Sequence, residues 1–584
     1  MKPTLDRLPD TIIAPRTDPI YNCHGYLTKV PVAAIEPFIE TFSAPGEVIA
    51  DLFAGSGMTG LAAVRLHRKA RLSDISVLGR HIAEGYSTCV SKASLLTAAS
   101  EVIESARQAV GVIYTTQRKQ DGLRVDVVRT VWSFVYKCPS CGSELVYYEY
   151  VSRGAPPKIC SKCSSDFVRR NWRRLEDVPV EIVVRNVEGR LTEQAVSAYD
   201  EAMIKTAAED PRQRQVPSQV IDEEREMFSR SGLGKAGMVK TSDFFSARNA
   251  IALVELWKAI NAVQDDNIRQ KLCFAFTAIL PRASRRYQWS AQRPLNAQNQ
   301  TYYIAPVYYE WNVFELFNRK LEAALRADDF LLGNAPLLRD STELDFKYVL
   351  ASADNLAHLG TSSVDYVFTD PPFGSNIFYS DMNLFHEAWL GTLTDHRSEA
   401  VVHTTGRRKI GAAERYESLL RSAFSEAFRV LKPGRYMSVV FGNSSGRIWG
   451  LVQRAIREAG FQAAPTHVAI LDKGQRSVKG LSSGSESVVT VDLILTVQKP
   501  VENKKRALTP ELEKGDTAIL IADALKKSGD FRNPSHLYAG VLRTAIKRHY
   551  SLDQLHLTDV LLALRKAGYT VDAKTGLLSK TNAA

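Results

Sequence analysis

The chain has 584 residues, 45% of them hydrophobic and 24% charged, which suits a globular protein of roughly two to four domains. No apolar stretch approaches the roughly 20 residues of a membrane span and Met1 to Arg7 has no signal-peptide core, so a cytoplasmic location with no membrane partner is expected. A net charge of +11 and a pI of about 9.1 favour a polyanionic partner, and seven cysteines, an odd count, argue against a disulfide framework.

In chain order, residues 21–31 lead into an apolar, helix-like stretch at 32–39. After a turn at 44–47, residues 48–53 read as a short strand that empties into Ala54-Gly55-Ser56-Gly57-Met58-Thr59-Gly60 and a helix over 61–66. Strand, glycine-rich turn and helix in that order make a cradle in which the backbone can approach a ligand that a Cβ would exclude. Residues 70–75 read as a second strand. Its acid, Asp74, lies nineteen residues after Gly55, close to the spacing at which a carboxylate takes ribose hydroxyls in doubly wound folds.

The interval before the next strand of this sheet is too long for one crossover helix, so a segment is inserted. It opens with a helical pattern at 94–112 and then presents Cys138-Pro139-Ser140-Cys141 and Cys160-Ser161-Lys162-Cys163, with eighteen residues between the pairs. Each knuckle aims two thiolates at one point, and two knuckles complete a closed tetrahedral site for structural Zn2+, with no position left for catalysis. Cations interleave with aromatics in Phe167-Val168-Arg169-Arg170-Asn171-Trp172-Arg173-Arg174 and again in Arg282-Ala283-Ser284-Arg285-Arg286-Tyr287-Gln288-Trp289. Such runs suit phosphate contact with base stacking, so Arg169, Arg170, Arg173, Arg174, Arg285 and Arg286 are nucleic-acid candidates, with a solvated charged face as the alternative. A basic glycine-rich loop at 229–240 has no strand before it and lacks the phosphate-loop pattern, which excludes an ATP site there. Residues 247–277 have helical periodicity and read as core.

The sheet resumes at 348–356, a third strand that ends in Asp354-Asn355. Residues 363–368 form the next strand, stopped by Thr369-Asp370-Pro371-Pro372-Phe373-Gly374, because neither proline can donate to a ladder. A carboxylate at a strand's carboxyl end sits where open parallel sheets bind ligands, so Asp370 and Phe373 are candidates to face a substrate. Phe385, Trp389 and Leu390 stand at helical spacing in 380–393 and read as packing. A helix at 423–431, a turn at 432–434, a strand at 436–441, a helix at 449–460 and a strand or hairpin at 487–497 complete a mostly parallel α/β sheet. After a charged linker at 501–506, helices near 510–527, 536–547 and 557–567 precede a hairpin at 569–578, the order of a winged-helix-like module that binds DNA or docks proteins.

Asp51-Leu52-Phe53-Ala54-Gly55-Ser56-Gly57-Met58-Thr59-Gly60 resembles the cofactor motif of the amino-directed DNA methyltransferases, which use S-adenosylmethionine, and Asp370-Pro371-Pro372-Phe373 resembles their catalytic motif. Thr28-Lys29-Val30-Pro31 is similar to the family's Lys-Pro element beside the methionine end of the cofactor, with Val30 interposed. The resemblance implies a Rossmann-like methyltransferase sheet over 1–95 and 345–500, an inserted zinc-ribbon and recognition region over 96–344, and a C-terminal module over 507–584. It implies Lys29, Asp51, Phe53, Ala54, Gly55, Ser56, Gly57, Thr59, Asp74 and Asp354 as cofactor residues, the last near adenine. It also implies Asp370, Pro371, Pro372 and Phe373 as catalytic residues, with Phe373 stacked on a base flipped from the duplex. Asp at the motif's first position points to adenine N6 in double-stranded DNA, in a restriction-modification or phage-defence setting with partner proteins. Phe373, where the family carries Tyr or Trp, keeps open an RNA guanine-N2 target; DNA cytosine N4, whose enzymes more often carry Ser at the motif's first position, is a further alternative, and a degenerate nucleic-acid-binding fold is the non-enzyme alternative.

Overall fold

The computed structural model describes residues 8–14, 17–291, 302–333, 344–374, 377–462, 465–472, 491–501, 516–527, 534–571 and 578–580. Most of the expected linker at 501–506, the first residues of the helix expected at 510–527, residues 487–490 of the last strand and the tip of the hairpin at 569–578 lie outside the described residues. The chain divides into two compact units, one of 1–87, 327–383 and 394–584, the other of 88–326 and 384–393.

The first unit is built on eight strands: β1 Thr11–Ile13, β2 Val48–Asp51, β3 Lys69–Asp74, β4 Phe346–Leu350, β5 Val364–Thr369, β6 Leu431–Phe441, β7 His467–Asp472 and β8 Val491–Gln498. All six residues of β5 are buried, as a strand covered on both faces requires. The order across the sheet is β1-β7-β8-β6-β5-β2-β3-β4. β8 runs antiparallel to β6 and β7, and every other neighbouring pair is parallel, in agreement with the expected mostly parallel α/β sheet. From β2 the chain builds outward through β3 to β4, and then crosses to the other side of β2 to lay down β5. The order therefore reverses between β2 and β5, which opens a crevice at the carboxyl ends of those two strands.

Residues 432–434, expected as a turn, lie within β6. Val364 pairs with Leu431 and Tyr366 with Tyr436, so Asp365 alone faces the four residues 432–435. The bulge has an electrostatic reason. Buried Asp365 accepts from the Val48 amide at 3.0 Å, and it pairs with Lys432 at 2.6 Å and Arg435 at 3.2 Å, both from the bulged stretch.

C-terminal helices Asp516–Lys527, Pro534–Lys547 and Leu557–Lys566 precede a hairpin of Tyr569–Val571 with Leu578–Lys580. Leu520, Tyr538, Leu542, Leu555 and Val560 from this region share one apolar core with Val439, Phe441, Trp449 and Leu493.

The second unit carries a four-stranded antiparallel sheet, in the order Leu191–Gln194, Val178–Arg185, Arg129–Ser133, Val307–Trp311. Helices Lys92–Val110, Ala247–Asn261 and Asp266–Thr277 supply Leu95, Val102, Ile251, Leu256, Leu272 and Phe276 to its core. The last two helices replace the single periodic stretch expected at 247–277, because Asp265 caps a new start by accepting from the Ile268 amide at 2.9 Å. Phe385 and Trp389 are packing residues, with Phe385 4.8 Å from Phe244 and Trp389 5.0 Å from Phe276 between ring centres. A three-stranded ribbon joins Glu144–Val146, Val135–Lys137 and Arg173–Arg174.

Asp365→Asn should destabilise the first unit by about 1–3 kcal/mol, because it weakens two ion pairs while Lys432 and Arg435 remain free to hydrate. Urea unfolding followed by tryptophan fluorescence measures this; an unchanged midpoint would mean the bulge is held by backbone alone.

Candidate active site

The strand β2 ends at Asp51, and the chain turns through Gly55 and Gly57 into the helix Met58–Arg65. Gly57, at the helix N-cap, has φ of +81°, and a Cβ there would stand 2.6 Å from the Ala83 Cβ, so both backbone and space demand glycine. The turn is anchored by Asp74 at the end of β3, which accepts from the Gly55 amide at 2.8 Å and the Ser76 amide at 2.9 Å. Burial pushes the Asp74 carboxyl above its usual range, against the pull of those amides. Asp74 also lines the cleft beside this turn.

Asp51 ties the two central strands together. One of its oxygens accepts from the Thr369 hydroxyl at 2.7 Å and the Phe53 amide at 3.1 Å; the other accepts from the Thr59 hydroxyl at 2.7 Å. Burial lifts this carboxyl to about 6, and the three donors hold it from rising further. Thr369 is the last residue of β5, so the bond fixes the position from which Asp370 departs.

The crevice between these strand ends is a cleft with about 920 Å³ of empty space, its open mouth included. Lys29, Asp51, Phe53, Ala54, Gly55, Ser56, Thr59, Asp74, Asp370 and Pro372 line it together, and Gly57 sits directly behind in the turn. Ser56 offers a buried hydroxyl with no hydrogen-bond partner among the described residues. A glycine cradle, the orphan Ser56 hydroxyl and a carboxylate at the end of β3 suit the ribose and polar tail expected of S-adenosylmethionine.

Several expected residues sit differently from what the motifs imply. Lys29 is buried and donates to the carbonyls of Tyr21 at 2.5 Å and His24 at 2.8 Å, so its ammonium folds its own segment. Asp354 is exposed and off the cleft, because β4 already ends at Leu350 and the chain lays Ser352 and Ala353 along the wall instead. The Pro372 carbonyl accepts from the Tyr416 hydroxyl at 2.5 Å, whereas no donor among the described residues reaches that of Pro371. Phe373 is half-buried and packs edge-on against Phe441, 5.1 Å between ring centres, with its carbonyl held by Asn443 at 2.8 Å; its ring does not line the cleft.

The sequence reading did not single out Tyr26, Ser76, Tyr379, Asn383 and Glu399, all of which line the cleft. Tyr379 opens the helix Tyr379–Leu390, and Glu399 caps that helix, accepting from the Tyr379 amide and the Ser380 hydroxyl, each at 2.5 Å. Burial first, and then the charge of Asp381, raises the Glu399 carboxyl to about 7. Tyr26 lies in the segment 21–31 before the first apolar helix, but a lone aromatic carries no signal. Glu399 lies in a stretch without periodicity.

In the second unit the four ribbon cysteines converge. Cys138 and Cys163 sulfurs are 3.6 Å apart, Cys141 and Cys160 3.7 Å, and all four lie within 4.8 Å of one another. These are distances for thiolates around a common ion, since Zn–S bonds of about 2.3 Å give a tetrahedron with edges of about 3.8 Å, whereas a disulfide needs about 2 Å. The two knuckles are built alike: Cys138 and Cys160 amides donate to Ser143 and Ser165 carbonyls at 2.8 Å each.

The six candidate arginines part company. Arg169, Arg170, Arg173 and Arg174 are exposed, with Arg169 on the Tyr303 hydroxyl at 3.1 Å and Arg174 paired to Asp177 at 2.7 Å over the Phe134 ring. Arg285 is half-buried, 3.6 Å from Asp177. Arg286 lies inside the unit with its guanidinium 4.7 Å from the Phe385 ring centre, and burial lowers it to about 10, so it is withdrawn from any surface a phosphate could approach.

A family model described as DNA methylase matches residues 11–92. No curated protein matches the chain. Among solved structures, it is similar to a proposed DNA modification methylase from Thermus thermophilus in three forms. The selenomethionine form is 18% identical with a TM-score of 0.16, over 30% of this chain and 60% of that one. A second is 18% identical with a TM-score of 0.17, over 30% and 62%. The form complexed with S-adenosyl-L-methionine is 16% identical with a TM-score of 0.16, over 30% and 60%. The chain thus spans about 60% of the length of these structures.

If the cysteines hold zinc, elemental analysis of protein purified without chelator should find about one zinc per chain, and its removal should unfold the ribbon. Metal-free protein with an unchanged melting curve would leave four reduced thiols.

Proposed function

We propose that the chain is an S-adenosylmethionine-dependent DNA methyltransferase that modifies an exocyclic amine, with adenine N6 as its target. The observation that carries this reading is the pairing of Asp51 and Asp370 across the reversal point of the sheet, joined through Thr369. The DNA methylase model matched over 11–92 supports it, and its name covers both N6 and N4 targets. Asp at position 370 favours adenine over cytosine by resemblance.

S-adenosylmethionine supplies an electrophilic methyl group on a sulfonium centre. The protein's task is alignment. An exocyclic amine is a poor nucleophile because its lone pair is spread into the ring. Asp370 and the Pro371 carbonyl each accept one amine hydrogen, which draws the lone pair out of the ring plane and aims it along the line of transfer. The prolines stiffen that carbonyl, and the Tyr416 hydroxyl fixes its neighbour at Pro372. No base is required before transfer, since the amine sheds its proton afterwards.

The basic ribbon edge at Arg169, Arg170, Arg173 and Arg174 serves the DNA backbone, with structural zinc holding the edge in shape. The C-terminal winged-helix-like module is a further DNA or protein contact. A cytoplasmic restriction-modification or phage-defence role with partner proteins suits these parts.

Asp370→Ala should reduce methyl transfer to unmethylated DNA by at least about 100-fold while S-adenosylmethionine binding stays within about threefold. Radiolabelled methyl transfer and calorimetry read the two quantities, and turnover near that of the unaltered chain would contradict the assignment.

A further inference from the structure

The acceptor base needs an aromatic wall beside Asp370, and the motif's own ring does not provide it, because Phe373 packs on Phe441 and does not line the cleft. Another ring does. Tyr379 lines the cleft with Asp370, nine positions further along the chain at the start of the helix that follows the Pro-Pro turn.

Two contacts hold that ring, and a third holds its main chain. Its hydroxyl meets the Thr28 hydroxyl at 2.5 Å, its main-chain amide donates to Glu399 at 2.5 Å, and its face lies near-parallel to the Tyr26 ring, 24° between planes and 6.0 Å between centres. Thr28 itself holds a left-handed φ of +55°, a conformation that costs about 1 kcal/mol or more in a β-branched residue and so needs a partner that fixes it. Asp370 is near enough that its charge, after burial, adds to the upward shift of the Tyr379 hydroxyl. A rotamer-locked ring next to the acceptor carboxylate has already lost the entropy that binding would otherwise cost.

We propose that Tyr379, rather than Phe373, is the aromatic side chain that packs against the acceptor base beside Asp370. This rests on the methyltransferase reading above. Tyr26 and Thr28 hold the ring in place, and Glu399 fixes the main chain from which it projects. Phe373 instead anchors the Pro-Pro turn to the sheet through Phe441.

The test compares the unaltered chain with Y379A, Y379L, Y379F and F373L, using unmethylated genomic DNA and S-adenosylmethionine. Loss of base stacking should lower kcat/KM for DNA about 5- to 150-fold in Y379A and Y379L. Affinity for S-adenosylmethionine alone, by calorimetry, should stay within about threefold, and Y379F, which keeps the ring, should keep transfer within about fivefold. Y379L retains apolar bulk and decides the matter if Y379A does not fold. Normal transfer by Y379L would overturn the proposal, as would a fall in cofactor affinity that matches the fall in transfer, or a loss confined to F373L. If the unaltered chain transfers no methyl group to any DNA, the methyltransferase reading itself fails.

Discussion

The buried carboxylate of Asp51 is the constraint on which the site depends. It joins two segments 318 residues apart in the chain, since one oxygen takes the Thr369 hydroxyl at the end of β5 while the other takes Thr59 in the first turn of the glycine helix. A carboxylate without such donors would not stay charged at that depth, and even with three it rises to about 6. The sign follows from burial: folding favours its protonated form, so its contribution to stability is greatest below the unfolded value of 3.8 and declines as pH rises through about 6. Beyond their last ladder bonds, strand ends are free to splay. Here they are pinned by side chains, and the pin stands next to Asp370.

The geometry around the pin assigns work to neighbours in a graded way. Asp74 holds the glycine turn through the Gly55 and Ser76 amides while lining the cleft. Lys29 spends its charge on the segment that carries Tyr26 and Thr28. Glu399, which titrates near 7, caps the helix that begins at Tyr379, so the wall opposite the glycine turn rests on a group whose charge changes near neutral pH.

Much of this was legible in the sequence where a residue type has one job. A strand that meets two prolines must stop, and glycines at a strand-to-helix turn mark a close approach, so β2, β5 and the cleft between them follow from pattern. The paired knuckles are equally plain, because spacing alone brings four sulfurs together. What escaped is orientation. Whether the ring of Phe373 turns toward the cleft or toward Phe441 is set by packing from β6, sixty-eight positions away, and no local pattern encodes it. Arg286 failed for the same reason, since a cation among aromatics reads alike on a surface and inside a core. Asp354 missed by one position, since the wall is made by Ser352 and Ala353. β1 is three residues long and carries too short a pattern to be read alone.

The proposed reaction is delivery of a methyl group from this cleft to an exocyclic amine of DNA. The most direct measurement is mass spectrometry of nucleosides released from DNA after incubation with the chain and S-adenosylmethionine labelled in its methyl group. Label should appear in N6-methyladenine. Label on a ring carbon, or on no DNA base at all, would contradict it.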